Sequence, residues 1–222
     1  MNSILIAVLA AGSLASHGPP LPEPIGITRL QYEGGGDWYA NPSSLPNLLA
    51  AIRDRTGIAV AEREATVAAT DPRLPDHPYL YMTGHGNVSF SAAERAALRA
   101  YLQGGGFLHA DDNYGLDVSF RREIAQIFPD AELTPIPPEH PVFHVFYDLP
   151  EGLPKIHEHD GEPPEALGIF FGGRLTVFYS HESDLGDGWE DPAVHEDAPE
   201  VREAALRMGV NLFMYVLGQV TS

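Results

Sequence analysis

An α/β sandwich, with a mainly parallel sheet covered by helices on both faces and a β-hairpin added at one edge, is the fold class this sequence predicts. Three observations carry it. Strand-like and helix-like segments alternate from residue 27 onward. The run YLYMTG, a loop, a capped helix and GFLHA has the length of a right-handed parallel crossover. GIFFGGRLTVFYS reads as two strands joined at Gly172 and Gly173. A chain of 222 residues with 44% hydrophobic content is long enough for one sizeable core, so a single domain over residues 25–218 is expected.

In chain order, MNSILIAVLAAGSLASHGPP opens with an apolar run, Ile4 to Ala15, that ends in a small-x-small pattern. This has the shape of a secretory signal over residues 1–15, and at twelve residues it falls short of the roughly 20 that span a bilayer. GPPLPEP within residues 16–24 reads as an extended tether. ITRLQY (27–32) alternates like a strand and breaks at Gly34 to Gly36. Ser44, Pro46 and the apolar series Leu45, Leu48, Leu49, Ile52 predict a helix that stops at Gly57. IAVAERE (58–64) is the expected second strand. YLYMTG (79–84) is the third, Ser91 and Glu94 open a helix with capping-box spacing that runs to Gln103, and GFLHA (106–110) is the fourth strand. A helix over 117–128 follows and halts at Pro129. PIPPEHP is polyproline-like, VFHVFYDL (142–149) is expected to be extended, the hairpin comes next, and a last helix runs from about Asp197 to Gly218.

Formal net charge is -18, and residues 151–222 carry 14 Asp and Glu against 4 Lys and Arg. A polyanion would be repelled, which argues against nucleic acid and anionic lipid as partners and leaves a small molecule or an envelope protein. The acidic C-terminal third would attract cations. The chain has no Cys, which removes disulfides, thiolate ligands and a cysteine nucleophile. An export signal with no lipid-attachment cysteine predicts a periplasmic or secreted protein without stable membrane insertion.

The stretch YLYMTGHGNVSFSAAERAALRAYLQGGGFLHADD resembles the class I glutamine amidotransferase-like superfamily. More narrowly, GGGDWYANPSSLPNLL, MTGHG, HADDNYG, LPKIHEHDG and YSHESDLGDGWEDP are similar to an uncharacterised bacterial family of exported proteins, a domain of unknown function. The superfamily resemblance implies a flavodoxin-like, three-layer fold. It does not bring amidotransferase chemistry, because that chemistry needs a cysteine nucleophile, and this chain has none.

In open α/β sheets the ligand crevice lies beyond the carboxyl ends of the strands. The predicted exits deliver Asp37, Trp38 and Tyr39 after the first strand; His85 and Asn87 after the third; His109, Asp111 and Asp112 after the fourth; and His181, Glu182 and Asp184 after the hairpin. KIHEHDG (155–161) adds His157 and His159, which share a face if the segment is extended. Imidazoles at i and i+2 with a carboxylate from HADD or HESD make an N,O set that suits Zn, Mn or Fe. The candidate ligands are therefore His85, Asp111, His157, His159 and His181, with Asp112 or Glu158 as a general base for a metal-dependent hydrolase. The alternative is a charged surface turn in which Lys155 and the carboxylates pair with the two histidines. SHESDLGDGWED (180–191) reads as an oxygen-rich loop without EF-hand spacing. GGGDWY lacks the Lys and Ser/Thr of a phosphate loop, so Asp37, Trp38, Tyr39 and Asn87 are candidates for a hydroxyl-rich or cationic ligand. Two further classes stay open: a non-catalytic envelope module, and a carbohydrate binder that uses Trp38, Tyr39 and Trp189.

Overall fold

The structure, a computed structural model, describes residues 25–220. The predicted signal and tether, residues 1–24, lie outside them. Seven strands form one sheet: β1 (Thr28–Gln31), β2 (Ala65–Ala68), β3 (Tyr79–Met82), β4 (Phe107–Asp111), β5 (Thr134–Pro135), β6 (Glu165–Phe171) and β7 (Arg174–His181). Their spatial order is β2-β1-β3-β4-β7-β6-β5. The first five in that order are parallel neighbours, and β6 and β5 add antiparallel edges. The fold class is thus α/β with a mostly parallel, mixed sheet.

Side chains alternate across the sheet as the pleat requires. Tyr79, Tyr81, Phe107 and Phe178 face one layer, where α1 (Ser44–Thr56), α4 (Leu185–Trp189) and α6 (Pro199–Val220) pack through Leu45, Leu48, Leu49, Trp189, Met208, Leu212 and Phe213. Leu80, Met82, Leu108, Ala110, Val177 and Tyr179 face the other, against α2 (Ala92–Gln103) and α3 (Asp117–Ile127) through Leu98, Leu102, Phe120 and Ile124. Between them α4 and α6 are joined by the short α5 (Pro192–His195).

Local chemistry fixes most boundaries. The Ser91 hydroxyl accepts from the Glu94 amide while the Glu94 carboxylate accepts from the Ser91 amide, which satisfies two of the amides that a helix start leaves open. Gly57, at φ 74°, ends α1 in the left-handed conformation that a side chain resists. Three expectations are corrected. The second strand is Ala65–Ala68, not 58–64: pairing of Thr28 with Ala65 sets the register and puts Val67 in the core, while the earlier segment gives only a bridge from Val60 to Ile25. Residues 142–149 are not extended, because His140 Nδ1 accepts from the Val142 amide and Pro141 starts a 3₁₀ turn through Phe143. Residues 185–189 form the helix α4, enclosed in the core, in place of an open loop.

Candidate functional site

The carboxyl ends of β4 and β7 lie side by side, with Asp111 opposite Ser180. Asp111 faces inward and is fully buried. Its Oδ1 accepts from Ser180 Oγ at 2.5 Å and the Leu185 amide at 3.1 Å, and its Oδ2 accepts from the Gly186 amide at 2.6 Å and the Tyr81 hydroxyl at 3.0 Å. It therefore anchors the start of α4. A Cβ on Gly186 would stand 2.5 Å from the Tyr81 oxygen and 2.9 Å from Asp111 Oδ2, so only glycine lets the chain come this close. Beneath it, His109 Nε2 lies 2.9 Å from Ser180 Oγ and His109 Nδ1 3.1 Å from the Tyr79 hydroxyl. Burial pushes His109 down to about 3 and Asp111 up to about 7, the latter helped by the charge on Asp184. Both oxygens of Asp111 are thus occupied by protein donors.

The sequence β7–HESD–α4 then turns outward. Glu182 and Asp184 adopt φ values of 56° and 63°, a conformation held here by what surrounds it. Asp184 Oδ2 lies 3.1 Å from His159 Nε2 and 3.6 Å from His157 Nδ1, so the two histidines of KIHEHDG converge on one carboxylate, although their segment is irregular and not a strand. These contacts outweigh burial and hold Asp184 below its ordinary range.

His157 is the centre of a larger cluster. Its Nδ1 is 2.9 Å from Asp187 Oδ2, and its Nε2 is 3.0 Å from Asp197 Oδ1. His195 Nε2 reaches the same Asp187 oxygen at 3.5 Å and Glu190 Oε2 at 3.3 Å. His157, Asp187 and His195 each offer one ligand atom within 4.8 Å of the others. The remaining carboxylate oxygens are tied down: Asn41 Nδ2 donates to Asp187 Oδ1 at 2.5 Å, and Ser43 donates its amide and hydroxyl to Glu190 Oε1 at 3.2 and 3.1 Å. Each carboxylate is therefore aimed, with one oxygen held and the other presented to the imidazoles. The carboxylates of Asp184, Asp187 and Asp197 raise His157 to about 11, while burial raises Asp187.

The other predicted residues fall elsewhere. His181 and Asp112 line a cleft of about 240 Å³ with His159, and Glu158 is exposed and 3.9 Å from Lys155. His85 is not in either group of potential ligands among the described residues; it pairs with Asp37 through its backbone amide and through Nδ1, 3.1 Å from Asp37 Oδ2. Asn87 donates to Gly34 O and accepts from Arg122, which closes the same loop. Trp38 is half-buried against the edge of the exposed Tyr39. Trp189 is core, with its indole N–H on Ala205 O, and presents no face to a sugar. His140 and His144 are likewise structural: His140 stacks near Phe170 and Tyr215, and His144 sits between Asp148 and Pro138 O.

Sequence reasoning passed over His195 and Asp197 and gave Asp187 only as part of a loop. The available signal was the density of carboxylates and glycines in DLGDGWEDPAVHED; what it lacked was the fold of α4 and α5, which bends that stretch back on KIHEHDG.

Among the described residues no helix is long and apolar enough to cross a membrane. No curated protein matches the chain. A family model, "Domain of unknown function (DUF4159)", matches residues 26–217, and the chain belongs to that family.

Proposed function

We propose that this is an exported protein of flavodoxin-like, amidotransferase-related fold that holds a divalent metal ion between His157, Asp187 and His195. The parallel strands run in the order 2-1-3-4-7, the arrangement of flavodoxin-like sheets, and the apolar run before the proline-rich tether supports export. The observation that carries the metal reading is the Asp197–His157–Asp187 alignment. Asp197 accepts from the Nε2–H, so the Nδ1 that faces Asp187 Oδ2 is the nitrogen that would exchange its proton for an ion, and a carboxylate behind a histidine in this way is the usual orientation of a metal-ligating imidazole. Ligand atoms 2.9 to 3.5 Å apart suit bonds of roughly 2.0 to 2.2 Å. Two imidazoles with a carboxylate favour zinc or a similar ion.

An ion held by three protein groups keeps a position for water and lowers that water's pKa, which is the chemistry a hydrolase would draw on. The residues of this chain supply the rest: Asn41 and Ser43 orient the carboxylates, and His157 and His195 remain partly open to solvent. Metal analysis of untagged protein, with melting measured before and after chelation, tests the reading. One equivalent of metal and a lower melting temperature on chelation are expected; a metal-free protein whose melting ignores added zinc would sink it.

A further inference from the structure

A second cleft, which shares His159 with the surroundings of Asp184, lies beside this centre. Its walls include Asp112, Tyr114, Asp117, His159, His181 and Glu182. Asp112 is only 3% exposed; its Oδ2 accepts from the Glu182 amide at 3.2 Å, while its other oxygen, Oδ1, is buried with no hydrogen-bond partner among the described residues. A buried carboxylate oxygen without a donor is costly unless a cation or a proton supplies one. His181 is oriented from behind: Nδ1 lies 3.1 Å from Glu165 Oε2, which leaves Nε2 facing Asp112 Oδ2 at 3.8 Å and Asp117 Oδ1 at 3.6 Å. Asp112, His181 and Glu182 each present a ligand atom within 4.8 Å of the others.

We propose that Asp112, His181 and Glu182 form a second divalent-cation site, separate from the His157 centre, and that the Lys155 ammonium is its tethered competitor. The ligand set differs in kind. One imidazole with two carboxylates favours a harder ion such as Mn²⁺ over the zinc-type preference of the two-histidine centre. Asp117 stays outside the set, because its Oδ1 already accepts from Arg121 Nε at 2.6 Å and the Tyr179 hydroxyl at 2.9 Å. Lys155 Nζ stands 2.8 Å from Glu182 Oε2 and 2.9 Å from Glu162 O. It thus neutralises a buried carboxylate that a divalent ion would also seek, so ion and ammonium compete for one charge. Asp184 Oδ2, within reach of His159 on the cleft wall and His157 beyond it, is the partition between the two sites.

The test is a count of bound Mn²⁺ by the loss of its free electron paramagnetic resonance signal, on the full chain stripped with chelator. Two ions are expected for the unaltered protein, one for His157→Ala and one for His181→Ala, with Asp112→Asn matching His181→Ala because asparagine keeps the acceptor for the Glu182 amide. A count that His181→Ala and Asp112→Asn both leave unchanged overturns the second site, whatever happens at His157. A single ion lost in those two variants and kept in His157→Ala supports the second site on its own, independently of the zinc test of the first. Lys155→Gln is expected to tighten the Asp112-dependent binding roughly tenfold; unchanged affinity overturns the competitor role.

Discussion

Two histidines that contact the end of β7 and the turn after it, His109 through Ser180 and His157 through Ser183, are driven in opposite directions. His109, enclosed between Tyr79 and Ser180, is pushed down to about 3 by burial, while His157, among Asp184, Asp187 and Asp197, is raised to about 11. The inner network is closed: tyrosine, imidazole, serine and Asp111 pass hydrogen bonds along a chain that ends on the amides of α4. The outer cluster gathers the carboxylates of Asp184, Asp187, Glu190 and Asp197 around His157 and His195. The contrast teaches where to place function on this sheet. Polar groups that satisfy each other hold the strand ends in place, and polar groups that still demand positive charge mark the site.

The comparison breaks most readily at His109. Its folded pKa lies below the unfolded value near 6.5, so between the two the unfolded chain binds the extra proton; stability is undiminished by this group above about 6.5 and is lost progressively as pH falls toward 3. Urea unfolding across that window should show a loss of up to about 4 kcal/mol that is much smaller in His109→Gln; equal slopes for the two proteins would mean that the inner histidine is not held neutral. Next in size, His157→Ala should weaken zinc binding by more than about 100-fold in a competition titration, beyond the cost of losing an outer partner. Asp197→Asn, which keeps the geometry but weakens the pull on Nε2, should cost about 10-fold to 100-fold and serves to sharpen the outer half of the contrast. The smallest effect is expected at Glu158→Gln and His85→Gln, whose side chains lie outside both clusters; zinc affinity within about twofold of the unaltered protein is the outcome, read in the same titration.

Much of the fold was legible because it depends on short-range rules. The capped helix from Ser91, the hairpin at Gly172 and Gly173 and the alternation along ITRLQY (27–32) each carry their signal within a dozen residues. The second strand was misplaced because both 58–64 and 65–68 alternate acceptably and only pairing with β1 chooses between them. The candidate site was legible in part. His157 and His159 stood out by spacing, and they do share a carboxylate, but the partner is Asp184 from the turn after β7. Asp111 looked like a ligand from its place at a strand end; the pleat turns it inward, where α4 claims both oxygens. His85 looked equivalent and instead closes the loop with Asp37.

By itself the sequence determined an α/β chain with an acidic C-terminal third and a strand edge rich in histidine and carboxylate, because periodicity and composition act locally. Only the tertiary structure decided that these residues divide into an inner, self-satisfied network and two outer clusters. The physical reason is that a side chain's charge state depends on what packs around it, and at Asp111 and Asp187 those neighbours come from segments 69 and 30 residues away in the chain.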